Sequence, residues 1–69
     1  MNEMITKAKL LGFENLSYDT QWIIYNKARM FGWTGEQPSV LGTHSADKAL
    51  NEALDYLLKQ GVVFTKERK

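Results

Sequence analysis

The single histidine, His44, stands in the run Thr43-His44-Ser45-Ala46-Asp47, which holds the residue types of a hydrolase triad. Triad side chains converge from separate segments so that each hydrogen-bonds the next, whereas these neighbours fan apart around a helix start. Ser45 or Thr43 as a helix cap, with His44 as an exposed loop residue, accounts for the run more simply. A lone histidine and no cysteine leave a zinc site only carboxylates, and these have no ligand-like spacing. No glycine-rich loop runs into Lys-Ser or Lys-Thr, and Gly32 and Gly35 follow a helical pattern instead of a strand, so a phosphate cradle has no support. Glu52 and Asp55 share a polar helix face with Lys48 and Lys59 and read as solvated ion pairs. The expectation is a chain without catalytic, cofactor-binding or metal-ligating residues, acting by binding.

Three helical patterns would position any contact surface. Met1, Met4, Ile5, Ala8 and Leu11 fall on one arc of about 120°, with Lys7 and Lys9 outside it, which predicts helix 1 over about 2–11. Gly12 supplies the left-handed residue that ends a helix, and Phe13 can fold back on the last turn. Ser17 is a good N-cap, Asp19 suits the first turn, and helix 2 is expected over about 18–31, closing at Gly32-Trp33. The two closures echo each other: Lys7 to Phe13 matches Lys27 to Trp33 class for class at a period of 20 residues. Two copies are too few for a solenoid, so the echo reads as one helix-ending chemistry used twice.

Thr34 to Thr43, with Gly35, Pro38 and Gly42, predicts a loop in which Val40-Leu41 forms a short extended piece. Helix 3 is expected over about 46–60, because Ala46, Ala49, Leu50, Ala53, Leu54, Leu57 and Leu58 keep the i, i+3, i+4 rule without a gap and Gly61 ends it. Asp55 and Lys59 form an i, i+4 pair in the favourable direction. Val62 to Thr65 is a β-type run whose partner is either Ser39 to Leu41 or the same segment of a second copy. Residues 66–69 read as a solvated basic tail. The fold class is thus mainly α: one small three-helix domain over 1–69 with a short C-terminal β-type segment.

Helix 2 is apolar almost all round: Ile24, Ala28 and Phe31 on one arc, Tyr18, Trp22 and Tyr25 on a second, Ile23 with Met30 on a third. Such a helix is expected at the centre of a fold, yet a chain of 69 residues has only two others to cover it. One reading has its neighbours cover it all. The other leaves Tyr18, Trp22 and Tyr25, joined by Trp33, as an aromatic patch of the kind enriched at binding hot spots, rimmed by the loop around Glu36 to Leu41.

With 43% hydrophobic and 25% charged residues the chain is of ordinary globular composition, and nine basic against eight acidic residues give a net charge of +1, too balanced to steer it strongly towards nucleic acid or an acidic membrane. No run approaches about 18 apolar residues, and the start lacks the basic-then-apolar order of a leader, so a cytoplasmic location is expected. The sequon Asn15-Leu16-Ser17 matters only in a secreted chain.

Ala8-Lys9-Leu10-Leu11-Gly12-Phe13 followed by Leu16-Ser17-Tyr18-Asp19-Thr20-Gln21-Trp22 resembles the helix-turn-helix of excisionase-like and mercury-regulator-like winged helices, over about 15 of the 69 residues. It departs from that pattern where Glu14-Asn15 lengthen the turn and where Lys7 stands at a usually apolar position. The resemblance implies a DNA-binding regulator in which helix 2 offers Thr20, Gln21 and Lys27 to the major groove while Lys7 and Lys9 approach phosphates. Helix 2 has little polar surface for that task, and helix 3 would meet phosphate with Asp47, Glu52 and Asp55. The favoured reading is a small non-enzymatic regulatory or adaptor protein that docks on a larger protein through Trp33, Tyr25, Trp22 and Tyr18 and is open to self-association, with nucleic-acid binding as the alternative and no membrane role.

Overall fold

The computed structural model describes residues 3–63. It is a mainly α, three-helix domain: α1 (Glu3–Leu10), α2 (Tyr18–Met30) and α3 (His44–Lys59). No strand is present among the described residues. Val40 and Leu41 lie in a bent loop, and Val62 and Val63 carry no regular structure. The rest of the expected β-type run, residues 64 and 65, lies outside the described residues, as does the basic tail.

Local chemistry sets the ends. Thr43, not Ser45, caps α3: its Oγ1 accepts from the Ala46 backbone N–H at 3.1 Å and its carbonyl from Asp47 at 2.9 Å, which draws His44 and Ser45 into the first turn. At α2 the Ser17 Oγ accepts from the Thr20 N–H at 3.3 Å, and Asn15 Oδ1 accepts from the Ser17 N–H at 2.9 Å and the Thr20 hydroxyl at 3.3 Å. Asn15 thus holds the cap in place.

All three helices close alike. Phe13, Trp33 and Val62 donate their backbone N–H to the carbonyls of Ala8, Ala28 and Leu57 at 2.9, 2.9 and 3.1 Å, and the glycine before each donates to Lys9, Arg29 and Leu58. This is the Schellman pair of bonds, and Gly12, Gly32 and Gly61 take the positive φ that it requires. The apolar residue after each glycine turns back and packs on the core. The echo between residues 7–13 and 27–33 is therefore a repeated closure with a third occurrence at the end of α3.

The core consists of Ala8, Leu11, Ile24, Tyr25, Ala28, Leu41, Ala46, Leu50, Ala53, Leu54 and Leu57. Five of these come from α3, against which both other helices pack. α1 and α2 make no close backbone approach to each other among the described residues. The expectation that helix 2 is central is corrected: an all-round apolar helix lies here on one flank, and the helix with the clean amphipathic stripe is the axis. Residues 11–17 separate α1 from α2, a longer link than the roughly three- or four-residue turn of a helix-turn-helix.

Lys7 ties the α1–α3 seam. Its Nζ meets Asp55 Oδ1 at 2.6 Å and donates to Asn51 Oδ1 at 2.7 Å. Asp55, read above as the partner of Lys59, thus reaches across to another helix. At the other flank the Tyr56 hydroxyl donates to the Phe31 carbonyl at 2.7 Å, satisfying an acceptor at the C-terminal end of α2.

Gly32→Ala is expected to destabilise the domain more than Gly61→Ala. Both residues are left-handed, at φ 103° and 73°, and each alanine costs about 1–2 kcal/mol on that ground. A Cβ on Gly32 would also lie 2.9 Å from the Tyr56 hydroxyl, whereas one on Gly61 meets nothing within 4 Å, so Gly32→Ala carries about 1 kcal/mol more through the disturbed bond to Phe31. Urea unfolding of the two variants checks the order; equal losses would show that Tyr56 yields without cost.

Candidate functional site

The aromatic residues singled out from the sequence do come together, but not as one exposed patch. Tyr25 is fully buried and its hydroxyl donates to the Ala46 carbonyl at 2.8 Å, fastening the middle of α2 to the first turn of α3. The expectation that Tyr25 belongs to an exposed contact surface is corrected: a phenol facing α3 has both its ring and its hydroxyl satisfied inside. Trp22 packs against one side of it, ring centroids 6.0 Å apart and planes tilted by 53°, and Trp33 stacks at 6.0 Å with planes 27° apart. Such offset and tilted pairs add about 0.5–1.5 kcal/mol beyond area burial. Both tryptophans are half-buried, and Tyr18, one turn before Trp22, is 59% exposed.

Two glycines make this arrangement possible. The Trp33 ring lies so close over Gly35 that a side chain there would overlap it, and the Tyr18 hydroxyl lies 2.6 Å from where a Cβ on Gly42 would sit. The loop is thus pinned at both ends under aromatic rings, and between them Leu41 enters the core while Val40 stays exposed. Trp22 and Trp33 are thus packed on Tyr25, while Trp33 and Tyr18 lie close over the loop at Gly35 and Gly42.

The Tyr25 phenol is pushed up from 10.0 to about 12, first by burial and then by the negative charge of Asp47.

Of the five residues assigned to nucleic acid, Lys27 is engaged within the chain, and three more are held by named partners in the fold. Lys7 is paired with Asp55, the Thr20 hydroxyl belongs to the α2 cap, and Gln21 is buried with its Nε2 donating to the Leu16 carbonyl at 2.7 Å. Lys9 is exposed and Lys27 half-buried. They lie on different helices.

His44 and Ser45 line an open groove of about 590 Å³ between the loop and α3, with Glu36, Pro38, Lys48 and Glu52. Asp47 is not among its lining residues and instead acts by its charge on the Tyr25 phenol, so the triad types do not converge there. Among the described residues no three His, Cys, Asp or Glu side chains gather to hold a metal ion, and no helix is long and apolar enough to cross a membrane.

A second apolar surface lies on the outer side of α2, where Ile23 is 44%, Met30 74% and Phe31 46% exposed. The helical wheel places Ile23 with Met30 but cannot say which arc faces water.

No protein-family model, curated protein or solved structure matches this chain.

Two consequences are measurable. Tyr25→Phe is expected to cost about 1 kcal/mol for the lost hydroxyl bond. Because folding raises the phenol's pKa, its stabilisation is complete below pH 10 and is lost as pH rises towards about 12, so in guanidinium melts the advantage of wild type over Tyr25→Phe should fall above pH 10 and reverse before pH 12. Gly35→Ala should displace the Trp33 ring from Tyr25, cost about 1–3 kcal/mol, and shift the tryptophan emission; unchanged emission would show that the loop backbone moves instead of the ring.

Proposed function

We propose that this chain is a small non-catalytic adaptor or regulatory domain that docks on a larger protein through the row Tyr18, Trp22 and Trp33, with Val40 on its rim. The observation that carries the reading is that the row is partly exposed yet rigid: both tryptophans are packed on a fully buried tyrosine, and the loop beside them is held by close glycine contacts. Aromatic side chains fixed before contact lose little freedom on binding, which is what makes Trp and Tyr effective anchors. Val40 is exposed on the same loop, two residues before the Gly42 that meets Tyr18. Tyr25 supports the row without touching a partner. Lys7, Thr20 and Gln21 are spent on the fold, so a groove-reading role for α2 draws no support from their placement.

The test separates contact from folding by changing only well-exposed members. Tyr18→Ala with Val40→Asp should leave the far-UV helix signal and the melting temperature within a few degrees of wild type. A partner cross-linked to wild type in cell extract should be lost from the double variant, with at least about tenfold weaker binding once purified, as expected when hot-spot contacts are truncated. Identical capture by both proteins would overturn the assignment of this surface.

A further inference from the structure

Among the helices, α1 packs on α3 alone, since no close backbone approach joins it to α2 among the described residues. Its backbone bonds close on themselves. Leu11, Gly12 and Phe13 donate their N–H groups back to Lys7, Ala8 and Lys9, so residues 3–13 form one piece. Beyond Glu14 the bonds run the other way: Asn15 and Ser17 hold the Thr20 turn and Gln21 holds the Leu16 carbonyl, so the chain from Asn15 onward belongs to α2. The exposed Glu14 marks the boundary between the two pieces.

We propose that residues 3–13 are a strap that leaves α3 and melts as one unit while α2, the loop and α3 stay folded. An eight-residue helix is well short of the roughly 12–15 residues at which an isolated helix begins to persist in water, so undocking and melting are one step. The strap also holds little of the core. Only Ala8 and Leu11 of the core residues lie in it, with Met4 and Phe13 packed at the edge, and the rest belong to α2, the loop and α3. Those two helices are tied at separate points, by Tyr25 to the Ala46 carbonyl and by Tyr56 to the Phe31 carbonyl, and Trp22 and Trp33 pack on Tyr25 between them. The strap's polar latch is Lys7, whose ammonium group meets Asn51 and Asp55, one turn apart on α3.

Opening uncovers the side of α3 that carries Asn51, Leu54, Asp55 and Leu58, which share a face at i, i+3, i+4 and i+7. Leu54 is fully buried and Leu58 partly buried while the strap is seated. The strap is therefore a built-in cover for an apolar strip, drawn from the least buried end of the fold as local openings are. The inference does not rest on the aromatic row meeting a partner, because the row stands on α2 and the loop.

Native-state hydrogen exchange read by NMR tests it, because a substitution changes the free energy of an opening only where that opening breaks the interaction it removes. In wild type the amides of Ala8 to Phe13 should share one opening constant, at least about tenfold larger than that of the slowest amides of α2 and α3. Tyr25→Phe removes a bond between α2 and α3, so it should speed those slowest amides about fivefold and leave the strap amides unchanged. Lys7→Ala should speed both groups by the same factor, since strap seating is lost in the local and in the global opening alike. Far-UV circular dichroism confirms that each variant is folded, and Tyr56→Phe takes the place of Tyr25→Phe if that chain does not fold. Strap amides as slow as the slowest of α2 and α3, an equal response of both groups to Tyr25→Phe, strap amides indifferent to Lys7→Ala, or protection that climbs residue by residue from Ala8 to Phe13 as in a fraying end would overturn the proposal.

Discussion

Burying Tyr25 completely obliges its hydroxyl to find an acceptor, because an unpaired phenol inside a domain costs about 1–3 kcal/mol. The acceptor is the Ala46 carbonyl in the first turn of α3, and that choice fixes where α2 crosses α3. Once the ring is in place, Trp22 and Trp33 have a surface to pack on, Trp33 can close α2 over Gly35, and the loop is brought back under Tyr18 at Gly42. A phenylalanine would fill the same volume without specifying the partner atom. The hydroxyl is what turns an apolar contact between two helices into a defined register.

The same economy governs the helix ends. A chain this small has little core to spare, so each closure does two things: the glycine satisfies the last carbonyls and the following residue adds an apolar side chain to the core. Tyr56 adds a further link at the end of α2, reaching from α3 to the Phe31 carbonyl. α1, the shortest helix, is held by Ala8, Leu11 and the reach of Lys7 to Asn51 and Asp55. The lysine stem covers apolar surface on the way while its ammonium group stays at the edge.

Much of this was legible in the sequence where a residue type has one good use. Glycine before an aromatic at the end of a helical pattern, Ser17 before the start of α2, and an unbroken leucine and alanine stripe in α3 are legible because each depends on chemistry local to one helix, whereas the α3 cap, open between Ser45 and Thr43, falls to Thr43 and starts the helix at His44. What periodicity could not convey was orientation. With apolar residues on three arcs of α2, the wheel gave no reason to prefer one arc for the interior, and Tyr25 was grouped with Tyr18 and Trp22 because they share an arc, although only Tyr25 is covered fully. Lys7 and Gln21 misled for a related reason: a polar residue beside an apolar arc reads as solvent-facing until a partner on another helix, or the carbonyl of Leu16, is known to be within reach. The third closure, at Gly61-Val62, does not show in the sequence echo because the residues before it differ in type and only the backbone repeats.

Gln21 shows what that orientation costs. Its Nε2 holds the Leu16 carbonyl, which fixes the amide the other way round from a flip, and so Oε1 is left buried with no hydrogen-bond partner. A leucine or methionine there would avoid that penalty, so for stability alone the position is not optimised. The amide ties Leu16, between Asn15 and Ser17 of the cap, to the first turns of α2. The rotation of α2 about its axis that carries the Tyr25 hydroxyl to the Ala46 carbonyl also leaves Ile23 and Met30 at the surface. One unmet buried acceptor on the inner side and three large apolar side chains on the outer side both accompany that rotation.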